Sequence, residues 1–328
     1  AICGSSLATA ATMGRVALPE LRRMGYSGSL STGALAAGGT LGILIPPSVI
    51  LIIYSILTEQ NIAKMFLAAF VPGILAAIGY LIAIAIFVRI KPDSGPPTSY
   101  VGWRQRLILF GQVWQILVIF FLVIGGIYLG WFTPTEGASI GAAGTGIMAL
   151  FTKGFNFNDL VDVIKDTAVT SAMIFLVLLG AEFFNSFIAL TQITNQLATF
   201  VISNELSPYL VVFCILVLYV FLGCLMDSLA MILLTIPVFF PIIIELDFGM
   251  SVEEVAIWFG ILTLIVVEVG LITPPVGLNV FIINKMAKNV PISDTFTGVL
   301  PFLISDLIRV GILFIFPGIS LFLIRLSG

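Results

Sequence analysis

Two copies of the pattern Gly-x-x-x-Pro-Pro, at Gly42–Pro47 and at Gly270–Pro275, interrupt long apolar stretches of the chain. Proline has no backbone N–H and its ring clashes with the preceding turn, so each copy predicts a helix that breaks part way along. A break inside a membrane is tolerated only where protein or a water-filled cavity receives its polar groups. Backbone and hydroxyl oxygens are the ligands that a hard cation such as sodium takes. The two breaks therefore predict a cation-binding site at membrane depth.

The first break is preceded by a short segment rich in small and hydroxyl residues. Ser5, Ser6 and Thr9 place hydroxyls at what we interpret as the tip of a re-entrant hairpin. Gly39 and Gly42 lie beside the break and free its carbonyls. Together these residues predict one set of cation ligands without a buried net charge. The alternative for any single residue is that Ser, Gly and Ala only allow close helix packing.

The second half of the chain holds a matching set around its own break. Its members are small or polar residues in the same order: Gly223, Asp227, Ser228, Gly270, Thr273 and the carbonyl that precedes Pro274. Asp227 is the most informative acid, because it lies in an apolar stretch where a carboxylate is costly and usually marks an ion or substrate site. The alternative is a carboxylate that caps the second hairpin arm by accepting backbone N–H bonds.

Three further polar residues lie just beyond the breaks. Ser48 and Tyr54 follow the first proline pair, and Asn279 comes four residues after Pro275, where its amide is placed to meet a ligand. Ligand contact and a structural role both remain open for each of them. The half-helix that starts at each break directs its positive dipole end toward the site, so an anionic ligand is favoured there.

Three other ionisable residues also lie in apolar stretches. Glu268, just ahead of the second break, either orients that break or borders a solvent-filled cavity. Asp306 and Arg309 are three positions apart on the last helix and therefore share a face. That spacing predicts an internal ion pair.

The composition bounds the class of protein. Hydrophobic residues make up 59% of the 328 residues and charged residues 9%, and the mean hydropathy is +1.18. These values predict an all-α polytopic membrane protein. A net charge of −3 without any histidine argues against nucleic-acid binding and removes the commonest proton-relay and zinc ligand. The sequence has no Walker lysine motif and no catalytic constellation, so neither ATP-driven transport nor enzymatic activity is expected of this chain.

The elements that must position these residues form two repeats, each with a re-entrant hairpin followed by a broken helix. We predict a first repeat over 1–90, a cytoplasmic linker over 91–106 and a second repeat over 107–328. The first repeat contains a hairpin arm (1–21), a broken helix (29–58) and a span (62–90). The second contains spans, a surface helix (157–168), a hairpin (207–245), a broken helix (255–284) and a last span (295–324). Because the sequence starts inside an apolar element, we expect the first repeat to be N-terminally incomplete.

The basic residues indicate how the repeats are oriented. Threading the spans through a membrane leaves Lys64 and Arg325 on one side. It places on the other side Arg22, Arg23, Arg89, Lys91, Arg104, Arg106, Lys153, Lys165, Lys285 and Lys288. The positive-inside rule assigns the crowded side to the cytoplasm. The first hairpin then enters from the cytoplasm and the second from outside, so the repeats are inverted, as is usual for alternating access in secondary transporters.

Two rival functions belong to other classes. A passive anion pore is the first, because paired hairpin breaks also occur in pores. Uptake that runs downhill without a sodium gradient would favour it. An intramembrane hydrolase using Ser6 and Asp227 is the second, and it is disfavoured because no His or Lys lies near the nucleophile.

Four motifs, in order, resemble those of the large membrane subunit of the tripartite ATP-independent periplasmic (TRAP) transporters. The resemblance covers almost the whole chain, and its motifs are Gly4–Thr9, Gly39–Ser48, Phe132–Glu136 and Gly270–Asn279. It implies an elevator-type symporter fold of the ion-transporter superfamily, in a bacterial cytoplasmic membrane. Large subunits of that family carry further spans before the first hairpin tip.

The resemblance also implies a mode of action. It implies sodium-driven uptake of an organic acid, a C4-dicarboxylate or a sialic acid, with a small membrane subunit and a soluble periplasmic binding protein as partners. The implied sodium-site positions are Ser5, Gly39, Gly42, Gly223, Gly270 and Thr273, and the carbonyl ahead of Pro274 joins them by position. The implied substrate contacts are Ser6, Ser48 and Asp227, and Tyr54 and Asn279 are added by their positions beside the breaks.

Overall fold

Every regular element of the part that the structure describes is a helix. The structure, a computed structural model, describes residues 4–96, 102–111, 114–152 and 154–327. The helices are α1 (Ser6–Arg23), α2 (Gly28–Leu44), α3 (Val49–Leu57), α4 (Ile62–Ile90), α5 (Trp103–Gly111), α6 (Trp114–Tyr128), α7 (Pro134–Phe151), α8 (Phe157–Thr191), α9 (Ile193–Ser203), α10 (Pro208–Gly223), α11 (Ser228–Ile244), α12 (Val252–Gly270), α13 (Leu278–Met286), α14 (Ile292–Ile315) and α15 (Pro317–Ser327). A short 3-10 turn, Pro92–Ser94, follows α4 in the predicted linker, of which residues 97–101 lie outside the described residues.

The chain divides into two compact units, and the two repeats stay a prediction. One unit holds the described residues up to Pro96 together with those from Phe183 onwards, and the other holds those from 102 to Glu182. The first unit therefore contains both proline pairs. All the residues of the candidate site belong to it.

Several helices have the length and composition of membrane spans. Among the described residues, three qualify singly: Ile62–Ile90, Phe157–Thr191 and Ile292–Ile315. The bent pair α2 and α3 makes a fourth if it is counted as one span. Large apolar side chains of α4, including Ile74, Ile78 and Leu81, are exposed, as a lipid-facing surface requires. The expectation of an all-α protein with several membrane helices is confirmed.

The helix breaks occur where the proline pairs predict them. α2 ends at Leu44 and α3 begins at Val49, with the two axes bent by 44°. α12 ends at Gly270 and α13 begins at Leu278. The second hairpin is also present, as α10 and α11 joined by the turn 224–227.

Three predicted boundaries differ from the structure. The surface helix expected over 157–168 is not a separate element, because α8 runs unbroken for 35 residues and its polar first turns contain no helix-breaking residue. The last span is two helices, because α14 ends at Ile315 and a new helix begins at Pro317, a first position at which the missing N–H is tolerated. The first hairpin arm, predicted to end at residue 21, continues as α1 to Arg23 and contains Pro19 within its length.

The core of the first unit joins both halves of the chain. One buried apolar cluster includes Ala10 of α1, Ala36 of α2 and Ile272 beyond the end of α12. Val280 and Ile283 of α13 complete its centre. Residues far apart in sequence therefore pack around the two broken helices.

The second unit shows why its helix α7 is rich in small residues. Thr133 and Glu136 form a capping box that starts this helix. A Cβ at Gly137 or at Gly144 would lie 3.0 Å from an isoleucine of α6. Small residues therefore allow α6 and α7 to pack closely, as expected.

Candidate functional site

The tip of the first hairpin packs against the first break. Ser5 caps α1, and its Oγ accepts the Ala8 N–H at 3.4 Å. A Cβ at Gly4 would lie 3.1 Å from the Val49 side chain and 3.6 Å from the Pro47 carbonyl oxygen. The tip and the break therefore share one small volume of the protein.

The first break exposes backbone oxygens on the face that α1 covers. Pro46 and Pro47 have no N–H, so the carbonyls of Gly42 and Ile43 cannot receive their usual helical donors. A Cβ at Gly42 would overlap the Thr9 hydroxyl. Thr9 and the carbonyl-bearing end of α2 therefore lie in direct contact.

The second break is held against the second hairpin by backbone contact. A Cβ at Gly270 would lie 2.5 Å from the Cα of Gly223, and a Cβ at Gly223 would lie 3.0 Å from the Cα of Gly270. The Cys224 thiol donates to the Pro274 carbonyl at 3.4 Å. Only glycine fits at this approach, so the two glycines that were predicted to bind sodium also fix the packing.

The chain reverses within the second break. The Asn279 N–H donates to the Leu271 carbonyl at 3.1 Å, and Gly277 has a φ of +63°, a conformation that favours glycine. The Thr273 hydroxyl donates to the Val269 carbonyl at 2.6 Å. That hydroxyl oxygen keeps its lone pairs, so Thr273 retains the capacity to bind a cation.

The two broken helices meet through Asn279. Its Nδ2 donates to the Ala36 carbonyl of α2 at 3.3 Å. A Cβ at Gly39 would lie 3.1 Å from the same nitrogen and 3.0 Å from the Ser6 carbonyl oxygen. Direct contacts therefore join α1, α2 and α13 just ahead of the first break and just after the second.

Three side-chain oxygens at this junction are buried without a hydrogen-bond partner among the described residues: Thr9 Oγ1, Asn279 Oδ1 and Glu268 Oε2. Their residues are 6%, 0% and 1% exposed. Buried oxygens are normally paired with a donor or an ion, because leaving them unpaired costs free energy. Neutral and carboxylate oxygens of this kind are ligands that suit sodium.

Several predicted ligands have structural partners in this arrangement. Ser48 caps α3 by accepting the Leu51 N–H at 3.3 Å. Asp227 caps α11 by accepting the Leu229 N–H at 3.1 Å, which is the alternative that the sequence left open. Neither cap uses every lone pair, so substrate contact by Ser48 and Asp227 stays a prediction.

Tyr54 is the predicted ligand that the structure does not bring to the junction. Its hydroxyl donates to the Ala256 carbonyl near the start of α12, at 2.6 Å, and the side chain is 1% exposed. The ring lies edge-on to Phe240. Its observed contacts join α3 to α12, and substrate contact by Tyr54 stays a prediction without support from geometry.

Glu268 is the residue that sequence reasoning undervalued. Its Oε1 accepts a hydrogen bond from Ser228 Oγ at 2.8 Å, and the Ser6 hydroxyl lies beside the same carboxylate. Glu268 thus touches both hairpin tips. The signal that selected Asp227, an acid in an apolar stretch, also applies to Glu268.

A buried polar chain supports α2 from its other side. The Tyr80 hydroxyl lies 2.8 Å from Thr40 Oγ1 and donates to Asp306 Oδ2 at 2.7 Å. Arg309 Nη2 donates to Asp306 Oδ1 at 2.8 Å, which confirms the predicted internal ion pair. The broken helix α2 is therefore tied to α4 and α14.

Apolar helices of membrane-spanning length and two broken helices that meet at buried oxygens define an integral membrane protein of the transporter class. The chain belongs to the family described as "Tripartite ATP-independent periplasmic transporter, DctM component", which matches residues 1–319. The resemblance seen in the motifs is thereby confirmed.

Similar proteins carry related names. The chain is 33% identical over 322 residues to a C4-dicarboxylate TRAP transporter large permease of Pseudomonas aeruginosa, covering 98% of this chain and 73% of that protein. It is 33% identical over 325 residues to a sialic acid TRAP transporter permease of Haemophilus influenzae, covering 97% of this chain and 50% of that protein. A sialic acid TRAP transporter large permease of Vibrio cholerae is 28% identical over 98% of this chain and 73% of its own length. These relatives are permeases and not enzymes, in agreement with the expectation for this chain.

Proposed function

We propose that this chain is the large subunit of a sodium-driven transporter that takes up an organic acid. The observation that carries the proposal is the meeting of both breaks and both hairpin tips around buried oxygens. Thr9 Oγ1 lies beside Gly42, and the Asn279 amide lies beside Gly39 through its Nδ2. Thr9 Oγ1 and Asn279 Oδ1 are buried and have no hydrogen-bond partner among the described residues. A site built from neutral oxygens suits a monovalent hard cation.

Sodium then acts on substrate affinity through linkage. A cation bound between α1, α2 and α13 stabilises the arrangement in which the tips and breaks are assembled. Substrate that binds the same arrangement gains affinity when sodium is present, and sodium gains affinity by the same factor. In the elevator mechanism that we propose, one hairpin and one broken helix from each half carry both ligands across the membrane as a block.

The substrate class follows from the relatives and from the helix ends. Relatives named for C4-dicarboxylates and for sialic acid are similarly distant from this chain. Both substrates present carboxylates, which suit the positive ends of α3 and α13. We further propose a bacterial cytoplasmic membrane location, a small membrane subunit as partner and a periplasmic binding protein that delivers the substrate.

The experiment that tests this function is uptake into proteoliposomes. The complete transporter that contains this chain is reconstituted with its small subunit, and labelled succinate and sialic acid are each offered with the binding protein outside. We expect one of the two to accumulate above its outside concentration only when sodium is higher outside and the binding protein is present.

Matched vesicles without a sodium gradient, and vesicles with only a proton gradient, are the controls. Downhill uptake of equal rate without sodium would establish the anion pore instead. Accumulation driven by the proton gradient alone would overturn the sodium assignment.

A further inference from the structure

The carboxylate of Glu268 occupies one of the most enclosed places in the protein. Every residue of α12 from Val255 to Gly270 is buried, and Glu268 itself is 1% exposed. Its Oε1 accepts a hydrogen bond from Ser228 Oγ at 2.8 Å, and the Ser6 hydroxyl also acts on the carboxylate. Its Oε2 is buried and has no hydrogen-bond partner among the described residues.

The charges around Glu268 do not neutralise it. The charged groups that act on it, in the described part of the chain, are the carboxylates of Asp227 and Asp306. Arg309, the ion-pair partner of Asp306, is engaged by that carboxylate at 2.8 Å. Burying an ionised carboxylate without a counter-charge is costly, so Glu268 must be neutralised in this position, either by a proton or by a bound cation.

Hydroxyls from two other elements surround the same carboxylate. Ser6 belongs to the first hairpin tip and Ser228 to the second, and both hydroxyls lie at Glu268. Each hydroxyl oxygen has lone pairs that a cation can use. A carboxylate oxygen and two hydroxyl oxygens thus converge from three elements that are far apart in the chain.

We propose that Glu268 is an anionic ligand for a sodium ion held between the two hairpin tips, with the hydroxyls of Ser6 and Ser228 beside it. This inference rests on the proposed sodium coupling and goes beyond it, because the positions predicted from sequence supply only neutral oxygens. One sodium ion balances one carboxylate. A divalent ion prefers several carboxylates, and the described residues contain no group of three or more Asp, Glu, His or Cys side chains that could hold a metal.

The site explains how sodium would assemble the transporter. Its ligands come from α1, α11 and α12, so the ion bridges both hairpin tips and the second broken helix. Without the ion, the Glu268 charge would favour separation of these elements or entry of water. Sodium binding would then close the junction before substrate is carried.

The decisive variant is Glu268→Gln, which keeps the shape of the side chain and removes its charge. In the complete reconstituted transporter we expect uptake to remain sodium-dependent but with one fewer sodium ion coupled to each substrate, measured from the potential at which net flux reverses. The matched control is Glu253→Gln, an exposed glutamate on the same helix that pairs with Lys64.

A second measurement detects sodium binding directly and is informative even if the Glu268→Gln variant does not transport. The thermal midpoint of the purified transporter is followed as sodium chloride replaces choline chloride, with sodium alone as the probe. We expect the sodium-dependent rise to be smaller in Glu268→Gln and to need several-fold more sodium in Ser228→Ala. The rise is expected to be unchanged in Glu253→Gln.

The outcomes separate this inference from the proposed function. If uptake by the wild-type transporter does not depend on sodium, the proposed function is wrong. If wild-type uptake is sodium-coupled while Glu268→Gln keeps both the wild-type stoichiometry and the wild-type thermal response to sodium, only the role of Glu268 fails. A variant that changes the proton dependence of uptake and leaves the number of sodium ions unchanged would also overturn it.

Discussion

The two broken helices share one sequence pattern and differ in what surrounds them. At the first break, Gly42 faces the side chain of Thr9, and α2 is tied to α4 and α14 through Thr40 and Tyr80. At the second break, Gly270 faces the backbone of the second hairpin, and its helix is buried from Val255 onwards.

The breaks also differ in charge and exposure. The first proline pair is buried or half-buried and has no acidic residue beside it, whereas the second pair is exposed and follows the buried acid Glu268. A proline pair therefore specifies that a helix breaks, but the packing around it decides which oxygens, and which charge, the break presents. The predictions below test that difference.

The largest loss of stability is expected from breaking the buried polar chain that ties α2, the helix before the first break, to α4 and α14. Asp306→Ala should lower the free energy of unfolding by about 3–5 kcal/mol, because it leaves Arg309 as an uncompensated buried charge. Thermal unfolding of the purified protein measures the loss. Asp294→Ala, an exposed acid on the same helix, should be close to neutral, and equal behaviour of the two variants would show that the polar chain does not support α2.

A smaller effect, unequal between the two breaks, is expected from added methyl groups. Gly270→Ala should destabilise by about 1–3 kcal/mol or more, because its new Cβ meets the backbone of Gly223, which cannot rotate away. Gly42→Ala should cost less, because its new Cβ meets the Thr9 side chain, whose hydroxyl can rotate away while its Cβ, at 2.8 Å, shifts slightly. Gly38→Ala is the control, since its Cβ would meet nothing within 4 Å.

Thermal midpoints of the three glycine variants give the ranking. A Gly42 variant that is less stable than the Gly270 variant would contradict the distinction between a side-chain neighbour and a backbone neighbour. Equal midpoints for all three variants would mean that the helices at both breaks adjust freely.

The next prediction concerns the affinity of the transporter for sodium and not its stability. Thr273→Ala should raise the sodium concentration for half-maximal uptake about tenfold, the equivalent of losing about 1.5 kcal/mol of interaction with a charged partner. Sodium titration of uptake measures it. Thr297→Ala removes a similarly back-bonded but exposed hydroxyl on α14, and a shift as large in that control would remove Thr273 from the site.

The smallest effect on stability is expected from Asp227→Asn. Asparagine caps a helix about as well as aspartate, so the thermal midpoint should stay close to that of the wild type. Substrate selection should nevertheless be lost or altered, as shown by uptake of competing organic acids. Normal substrate selection and uptake in this variant would show that Asp227 acts only as the cap of α11.

Much of the fold follows from short-range chemistry. The missing N–H groups of Pro46 and Pro47 break a helix wherever that segment lies, and a long apolar run from residue 62 to residue 90 suffices to predict α4. The boundaries that were missed also have local causes. A polar segment does not end α8 without a breaking residue, while Pro317 starts a new helix within the last span.

The sequence by itself determined that the chain is a helical membrane protein, that it breaks twice at proline pairs and that hairpin tips accompany the breaks. Each of these depends on residues close together in the chain. Only the tertiary structure decided that Asn279 reaches Ala36 and that Ser6 and Ser228 converge on Glu268. Those contacts join segments more than a hundred residues apart or on different helices, and no local preference specifies which side chains such segments bring together.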